Sequence, residues 1–407
     1  MKHITFIMIA LSLMLAMTGC NKKPETQPSD SRKAEGQTDN AVENKGDSAS
    51  SNSQDEGVFK FTVNSDVDVD GNNPKLNAEQ LEIAINIADL GGKYPIRYDL
   101  DCDGDGEFEQ KDLDKSARCD IKRHSGRHQI GMRGEFPAIK LCMLDDEVAL
   151  PDNASAVESI DSWGNIEWKS MHAFAMGCAK LNRIPEKAPD LSKVTDMSSM
   201  FYGAAAFNQP LEAWDTSNVT NMSGLFGKAS SFNQPLNKWK TSKVTDMSGM
   251  FFEASAFNQP LEAWDTSSVT VMSSMFTEAT SFNQPLEKWD TSNVTRMNLM
   301  FWGAKSFNQP VEKWNTSKVT DMSGMFWSAT SFDQHLNSWY TKSVCDMSLM
   351  FNEASSFSHY PVDWVVPAKG TKDMFVGTKV EQMAKDQPLK LVDKPECKYD
   401  DEDKGAE

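Results

Sequence analysis

The chain has 407 residues, enough on length alone for two or three domains. It carries 59 acidic against 41 basic residues, a formal net charge of −18. So anionic a surface repels phosphate backbones and argues against a nucleic-acid partner. The acidic run Asp400, Asp401, Glu402 and Asp403 reads as part of a solvated tail rather than as a site.

In chain order, Lys2 is followed by an apolar stretch from Ile4 to Met17. That length suits the core of an export signal and is too short to span a bilayer. It ends at Met17-Thr18-Gly19-Cys20, which resembles the lipobox of bacterial lipoprotein signal peptides, where the chain is cut before the cysteine and that cysteine is lipidated. Gly19 and Cys20 match, while Met17 stands where leucine is usual. The resemblance implies a signal peptide over 1–19, lipidation at Cys20, and a lipid anchor in the bacterial cell envelope. Residues 20–57 then hold the modified cysteine and a tether. The tether is built of Ser, Asp, Glu, Asn, Gln, Lys and Pro and cannot bury enough surface to offset chain entropy.

Residues 58–150 read as a small all-β, sandwich-like domain. Phe59-Lys60-Phe61-Thr62-Val63 and Leu81 to Ile87 alternate apolar and polar, and turn clusters such as Leu90-Gly91-Gly92 separate the short runs. The loop Asp101-Cys102-Asp103-Gly104-Asp105-Gly106 fits the first half of a calcium loop, with Asp112 at its twelfth position. Asp101, Asp103, Asp105 and Asp112 are therefore the candidate ligands of a structural calcium. The competing reading is an acidic hairpin turn, since Asp-Gly is ordinary turn chemistry. No other cofactor is expected. Cys102 and Cys119 flank this hairpin, and in an exported protein they predict a disulfide. Cys142, Cys178, Cys345 and Cys397 could form two further bridges, whose connectivity the spacing does not fix.

An irregular repeat over 151–189 reads as an N-terminal cap, because an array needs an atypical end. The regular part, 190–375, repeats every 25 residues. Phe207, Phe232, Phe257, Phe282, Phe307, Phe332 and Phe357 keep that spacing, as do Trp214, Trp239, Trp264, Trp289, Trp314, Trp339 and Trp364. A fixed period of this size means a stacked array. In each unit apolar residues at Val219, Met222, Leu225, Phe226 and Ala229 recur at spacings of three and four, which predicts a short helix capped by Thr216 or Ser217. The preceding Phe-Asn-Gln-Pro-Leu-x-x-Trp carries proline and predicts a short extended strand. The expected fold is thus an α/β repeat solenoid, leucine-rich-repeat-like, with short parallel strands plus short helices, preceded by the sandwich-like domain. Residues 376–407 read as a C-terminal cap and acidic tail.

The unit Trp-Asp-Thr-Ser-Asn-Val-Thr-x-Met-Ser-x-Met-Phe-x-x-Ala-x-x-Phe-Asn-Gln resembles the repeat of BspA-like leucine-rich-repeat surface proteins, also described from mycoplasma-type lipoproteins. The resemblance covers about 190–364. It implies a leucine-rich-repeat-like solenoid, a surface location and a role in adhesion or protein binding, and it brings no catalytic residues.

Specificity on a repeated scaffold must sit where the copies differ. One variable column reads Tyr202, Gly227, Phe252, Thr277, Trp302, Trp327 and Asn352. Its aromatics, Tyr202, Phe252, Trp302 and Trp327, form a candidate binding stripe if they face solvent, and core filler if they pack between coils. A second column, Glu212, Asn237, Glu262, Glu287, Glu312 and Asn337, predicts an acidic ladder. The expected function is non-enzymatic: a lipid-anchored surface protein whose solenoid binds a protein partner. The alternative is a carbohydrate-binding surface protein that uses the aromatic stripe as stacking platforms. The partner is then a protein or a glycan on another surface. An enzyme fits less well, since no nucleophile elbow, His-rich metal spacing or phosphate loop is present.

Overall fold

Alternation in the first segments gives short antiparallel strands. The computed structural model describes residues 57–66, 80–122, 126–142, 156–393 and 397. Cys20, the signal-peptide residues, the tether up to residue 56 and the acidic run 400–403 lie outside them. The strands are β1 (Phe59–Asn64), β2 (Gln80–Ile87), β3 (Arg97–Asp101), β4 (Gln110–Leu113), β5 (Ala117–Lys122), β6 (Arg127–Glu135), β7 (Ile139–Lys140) and β8 (Val157–Trp163). They form a five-stranded sheet ordered β4-β3-β6-β1-β8 and a three-stranded sheet ordered β5-β2-β7. Phe59, Phe61 and Val63 of β1 and Ile83, Ile85 and Ile87 of β2 are buried, as a period of two requires. A disulfide joins Cys102, just after β3, to Cys119 in β5 and so staples one sheet to the other.

The edge of the larger sheet is not left open. Ile160 in β8 donates its N–H to the Arg183 carbonyl at 3.0 Å, and Asn182 donates to the Glu158 carbonyl at 2.9 Å. The array thus begins as a parallel continuation of β8, which removes a strand edge that would otherwise invite pairing. Phe59, Phe136, Trp168 and Phe174 pack edge to face across this junction, with Phe59–Trp168 at 5.5 Å and Trp168–Phe174 at 5.7 Å. A second disulfide, Cys142–Cys178, ties the segment after β7 to the first coil. The buried core is continuous from β1 into the array, and all described residues lie in one unit spanning Asn52–Glu407.

The array itself overturns the expected α/β architecture. No helix lies in the repeats; among the described residues the helix longer than a turn is α1 (Glu381–Asp386), beyond the last full coil. The stretch Val219 to Ala229 runs instead as successive tight turns. Gly224 and Lys228 sit in the left-handed region, at φ +63° and +57°, and the same two positions are left-handed as Ser274 and Glu278 or Leu299 and Gly303. Two left-handed residues in eleven break any α-helix, because each redirects its peptide plane. Leu225 donates back to the Met222 carbonyl, Gly227 to Gly224 and Ala229 to Phe226, all three residues back. The amides between them turn along the stack: Met222, Gly224, Phe226 and Lys228 donate to the carbonyls of Asp246, Ser248, Met250 and Phe252 in the next coil. All four point the same way. Residues 272, 274, 276 and 278 repeat the pattern onto 296, 298, 300 and 302.

The expected strand in the first half of each unit is also absent. Parallel pairing survives only as single-residue bridges, such as Asn221–Asp246 and Asp246–Val271, at another position of the unit. Side chains supply what a sheet would have supplied. Asn258 Oδ1 accepts from the Asn283 amide at 2.9 Å and from Gln284 Nε2 at 3.0 Å. Thr216 is not a helix cap: its hydroxyl donates to the Lys240 carbonyl of the next coil at 3.0 Å. From Trp239 to Trp364 each indole of the 25-residue Trp column reaches back one coil, as when Trp289 Nε1 donates to the Leu261 carbonyl at 3.0 Å. Buried backbone groups must find partners, and these columns provide them.

Inside, identical rings stack. Phe251–Phe276 and Phe276–Phe301 lie at 5.5 and 5.6 Å with planes within 8° of parallel, and Phe276–Phe282 within one coil lie at 4.0 Å. The methionine column Met222, Met247, Met272, Met297, Met322 and Met347 is fully buried beside them. The array closes with the segment 370–376, the short parallel pair β9 (Val365–Pro367) and β10 (Lys390–Val392), and α1. A third disulfide, Cys345–Cys397, ties the chain beyond β10 to the last full coil.

Candidate functional site

The variable aromatic column lies on the coil face between the two left-handed positions. Tyr202, Phe252, Trp302 and Trp327 are all half-buried. The structure brings two of them together: Trp302 and Trp327 stack at 4.9 Å with planes 11° apart. Phe252 and Tyr202 stand apart, separated from the next aromatic by the coils of Thr277 and Gly227. Gly227 has a local reason, since a Cβ there would come within 2.4 Å of the Tyr202 ring. Tyr202 leans into that space and also packs against Ala173 and Met176. Its burial pushes the phenol pKa up.

Charged groups that the aromatic column did not announce surround these rings. The Lys228 ammonium sits 5.7 Å from the centre of the Phe252 ring and 3.8 Å from Glu253. Glu278 occupies the space over Gly303, where a Cβ would fall 2.4 Å from the carboxylate. Burial raises its pKa, opposed by Lys305 and reinforced by Glu253. Thr277 is fully buried, its hydroxyl donating to the Leu299 carbonyl at 2.6 Å. The Trp327 indole N–H is buried and has no hydrogen-bond partner among the described residues, which is uncommon for a tryptophan. Lys228 and Glu278 could have been found in the sequence by reading the column next to the aromatics, which also varies.

The expected acidic ladder is a ladder of ion pairs. Glu212 meets Lys238 at 2.9 Å, Glu262 meets Lys288 at 3.0 Å, and Glu287 meets Lys313 at 3.1 Å, each lysine coming from the following coil. Exposed pairs of this kind add little stability, but they cancel the charge that would have drawn a basic partner to that column.

In the first sheet, Asp101, Asp103 and Asp105 converge as anticipated, but their companion is Glu109, with carboxylate oxygens all within 4.8 Å of one another. Asp112 lies elsewhere. After Gly106 the chain enters β4, which pairs with β3 and carries Asp112 to Arg97, at 2.7 Å. An EF-hand continues into a helix that returns its twelfth residue to the loop; a strand does not. Asp101 is buried and takes the Gly104 and Gly106 amides at 2.7 and 3.1 Å. Four carboxylates this close suit a hard cation. Millimolar calcium is expected to stabilise the chain by about 1–3 kcal/mol, seen as a rise in Tm. Glu109→Gln should remove the rise and Asp112→Asn should leave it. A wild-type Tm indifferent to calcium would leave the loop an acidic turn.

Among the described residues no helix is long and apolar enough to cross a membrane. Compared with known proteins, residues 167–289 and 272–386 match a family described as "Mycoplasma protein of unknown function, DUF285". No curated protein and no solved structure matches the chain.

Proposed function

Because this chain belongs to the DUF285 family, for which no function is described, we propose one from the array itself: a non-enzymatic, lipid-anchored protein of the bacterial cell surface whose coils bind a protein partner. In this reading it is a BspA-like surface lipoprotein, anchored at Cys20 and held off the membrane by the polar tether. The observation that carries the proposal is the Trp302–Trp327 pair. It sits half-buried on the face where the copies differ, flanked by Thr277, Glu278 and Asn352. Binding hot spots favour tryptophan in such partly desolvated settings. The ring geometry favours a protein over a glycan. Sugar platforms present an aromatic face, whereas these two indoles cover each other's faces.

The test uses cells or beads displaying the full chain, and target surfaces treated with protease or with periodate. Trp302→Ala with Trp327→Ala is expected to weaken attachment about tenfold or more, the scale of one or two hot-spot residues. Protease treatment of the target should abolish attachment and periodate should spare it. Attachment that survives protease but is lost to periodate would move the reading to a glycan. Radiolabelled palmitate should label the wild type and not Cys20→Ala.

A further inference from the structure

The Trp302–Trp327 pair lies between two left-handed columns, and beside it both columns depart from their usual residues. On one side the column reads Ser199, Gly224, Gly249 and Ser274 before it reaches Leu299 at φ +59°. Leucine stands there again at Leu349. A bulky side chain is disfavoured in this region, so glycine and serine are the ordinary occupants. Leu299 is present in spite of that strain, and strain of this kind gathers at binding sites. Its Cδ2 lies 2.6 Å from where a Gly324 Cβ would be, and Trp327 Cε3 lies 3.8 Å from the same point. Leu299 and Trp327 therefore meet over Gly324. With Trp302 they form a half-buried apolar strip.

On the other side Glu278 leans over Gly303, the residue after Trp302. Its neighbours in that column are satisfied within the chain: Glu253 faces Lys228 at 3.8 Å, and Glu353 accepts from the Ser328 hydroxyl at 2.9 Å. Glu278 is not. Among the described residues its carboxylate takes no hydrogen bond and meets no cation at ion-pair distance, Lys305 acting on it only from further off. A carboxylate half-removed from water is destabilising until a cation meets it. The net charge of −18 draws basic partners toward the chain. We propose that the protein partner docks a lysine or arginine here, its aliphatic stem along Leu299, Trp302 and Trp327 and its charge on Glu278. The inference rests on the reading of the tryptophan pair as the binding patch, and it names the side chain that the patch selects. The Glu212, Glu262 and Glu287 column cannot compete for that cation, since its own lysines already neutralise it.

Panning the full chain against a phage-displayed library of random dodecapeptides tests this. Clones are kept that bind the wild type and fail on the variant with Trp302→Ala and Trp327→Ala. The retained peptides, made synthetically, should carry a lysine or arginine beside an apolar residue. Glu278→Gln in the array, or glutamine in place of that basic residue in the peptide, should each raise Kd about tenfold. Both changes together should weaken binding little more than either alone. Glu353→Gln should leave Kd unchanged. Affinity should also fall with pH. Burial raises the Glu278 pKa, opposed by Lys305 and reinforced by Glu253, and binding needs the carboxylate ionised. The loss should therefore begin above the usual glutamate range as pH drops, and Glu278→Gln should abolish that slope. Retained peptides without a basic residue, or a Kd that Glu278→Gln leaves unchanged, would overturn the proposal and keep the tryptophan pair as the binding patch. A library that yields no clone dependent on the two tryptophans would overturn both.

Discussion

Phe276→Ala is expected to cost about 3–5 kcal/mol, the range for emptying a buried aromatic site. The ring is fully buried and touches four others: Phe251, Phe301 and Phe282 at 5.5, 5.6 and 4.0 Å, and Trp289 at 6.3 Å. Its neighbours cannot collapse into the space, because each is held by its own coil through the amide ladder and the Trp–carbonyl bonds. In a one-dimensional stack the damage should be local. Hydrogen exchange should therefore rise first in the coils around 251, 276 and 301, before the sheets are affected. Phe252→Ala, one residue from a core ring but half-buried, is the control and should cost far less. Equal losses for Phe276→Ala and Phe252→Ala in chemical denaturation would mean that the stack does not carry the stability assigned to it.

The second large effect concerns the Cys142–Cys178 bridge. Its separation of 36 residues corresponds to about 4 kcal/mol of unfolded-state constraint. Both sulfurs are fully buried, at the seam where the sheets meet the first coil. Cys142→Ala with Cys178→Ala should lower Tm by several degrees and loosen the coil at 171–177 before the central coils. The expected order is as informative as the size. If the coils at 272–278 loosen first, the seam is not where the array is held.

What was legible in the sequence were the columns, and what was not was the backbone that carries them. Phe207, Trp214, Met222 and Phe226 are buried in every copy because burial acts on side chains, and the 25-residue period records it directly. The spacing of Val219, Met222, Leu225, Phe226 and Ala229 was misleading, since successive three-residue turns place apolar side chains inward at nearly helical intervals. Gly224, Gly249 and Gly324 marked the left-handed position, but Ser274 and Leu299 occupy it in other copies and hid the signal. Asp112 was misplaced because a helical loop template was laid over a chain that continues as β4. The Glu212, Glu262 and Glu287 column read as unpaired because its lysines lie in the following coil, beyond the reach of a single column. The alternating segments at 59–63 and 81–87 do form strands, where period two had no competing explanation.

The one-way amide ladder has an evolutionary consequence. Each coil offers the next one the same donors that it accepts from the last. A whole unit can therefore be gained or lost by recombination between near-identical repeats without creating an orphan group at either seam. The number of coils, and with it the distance by which the Trp302–Trp327 patch stands off from the sheets, is free to drift. The two ends stay fixed, by β8 on one side and by the closing segment on the other.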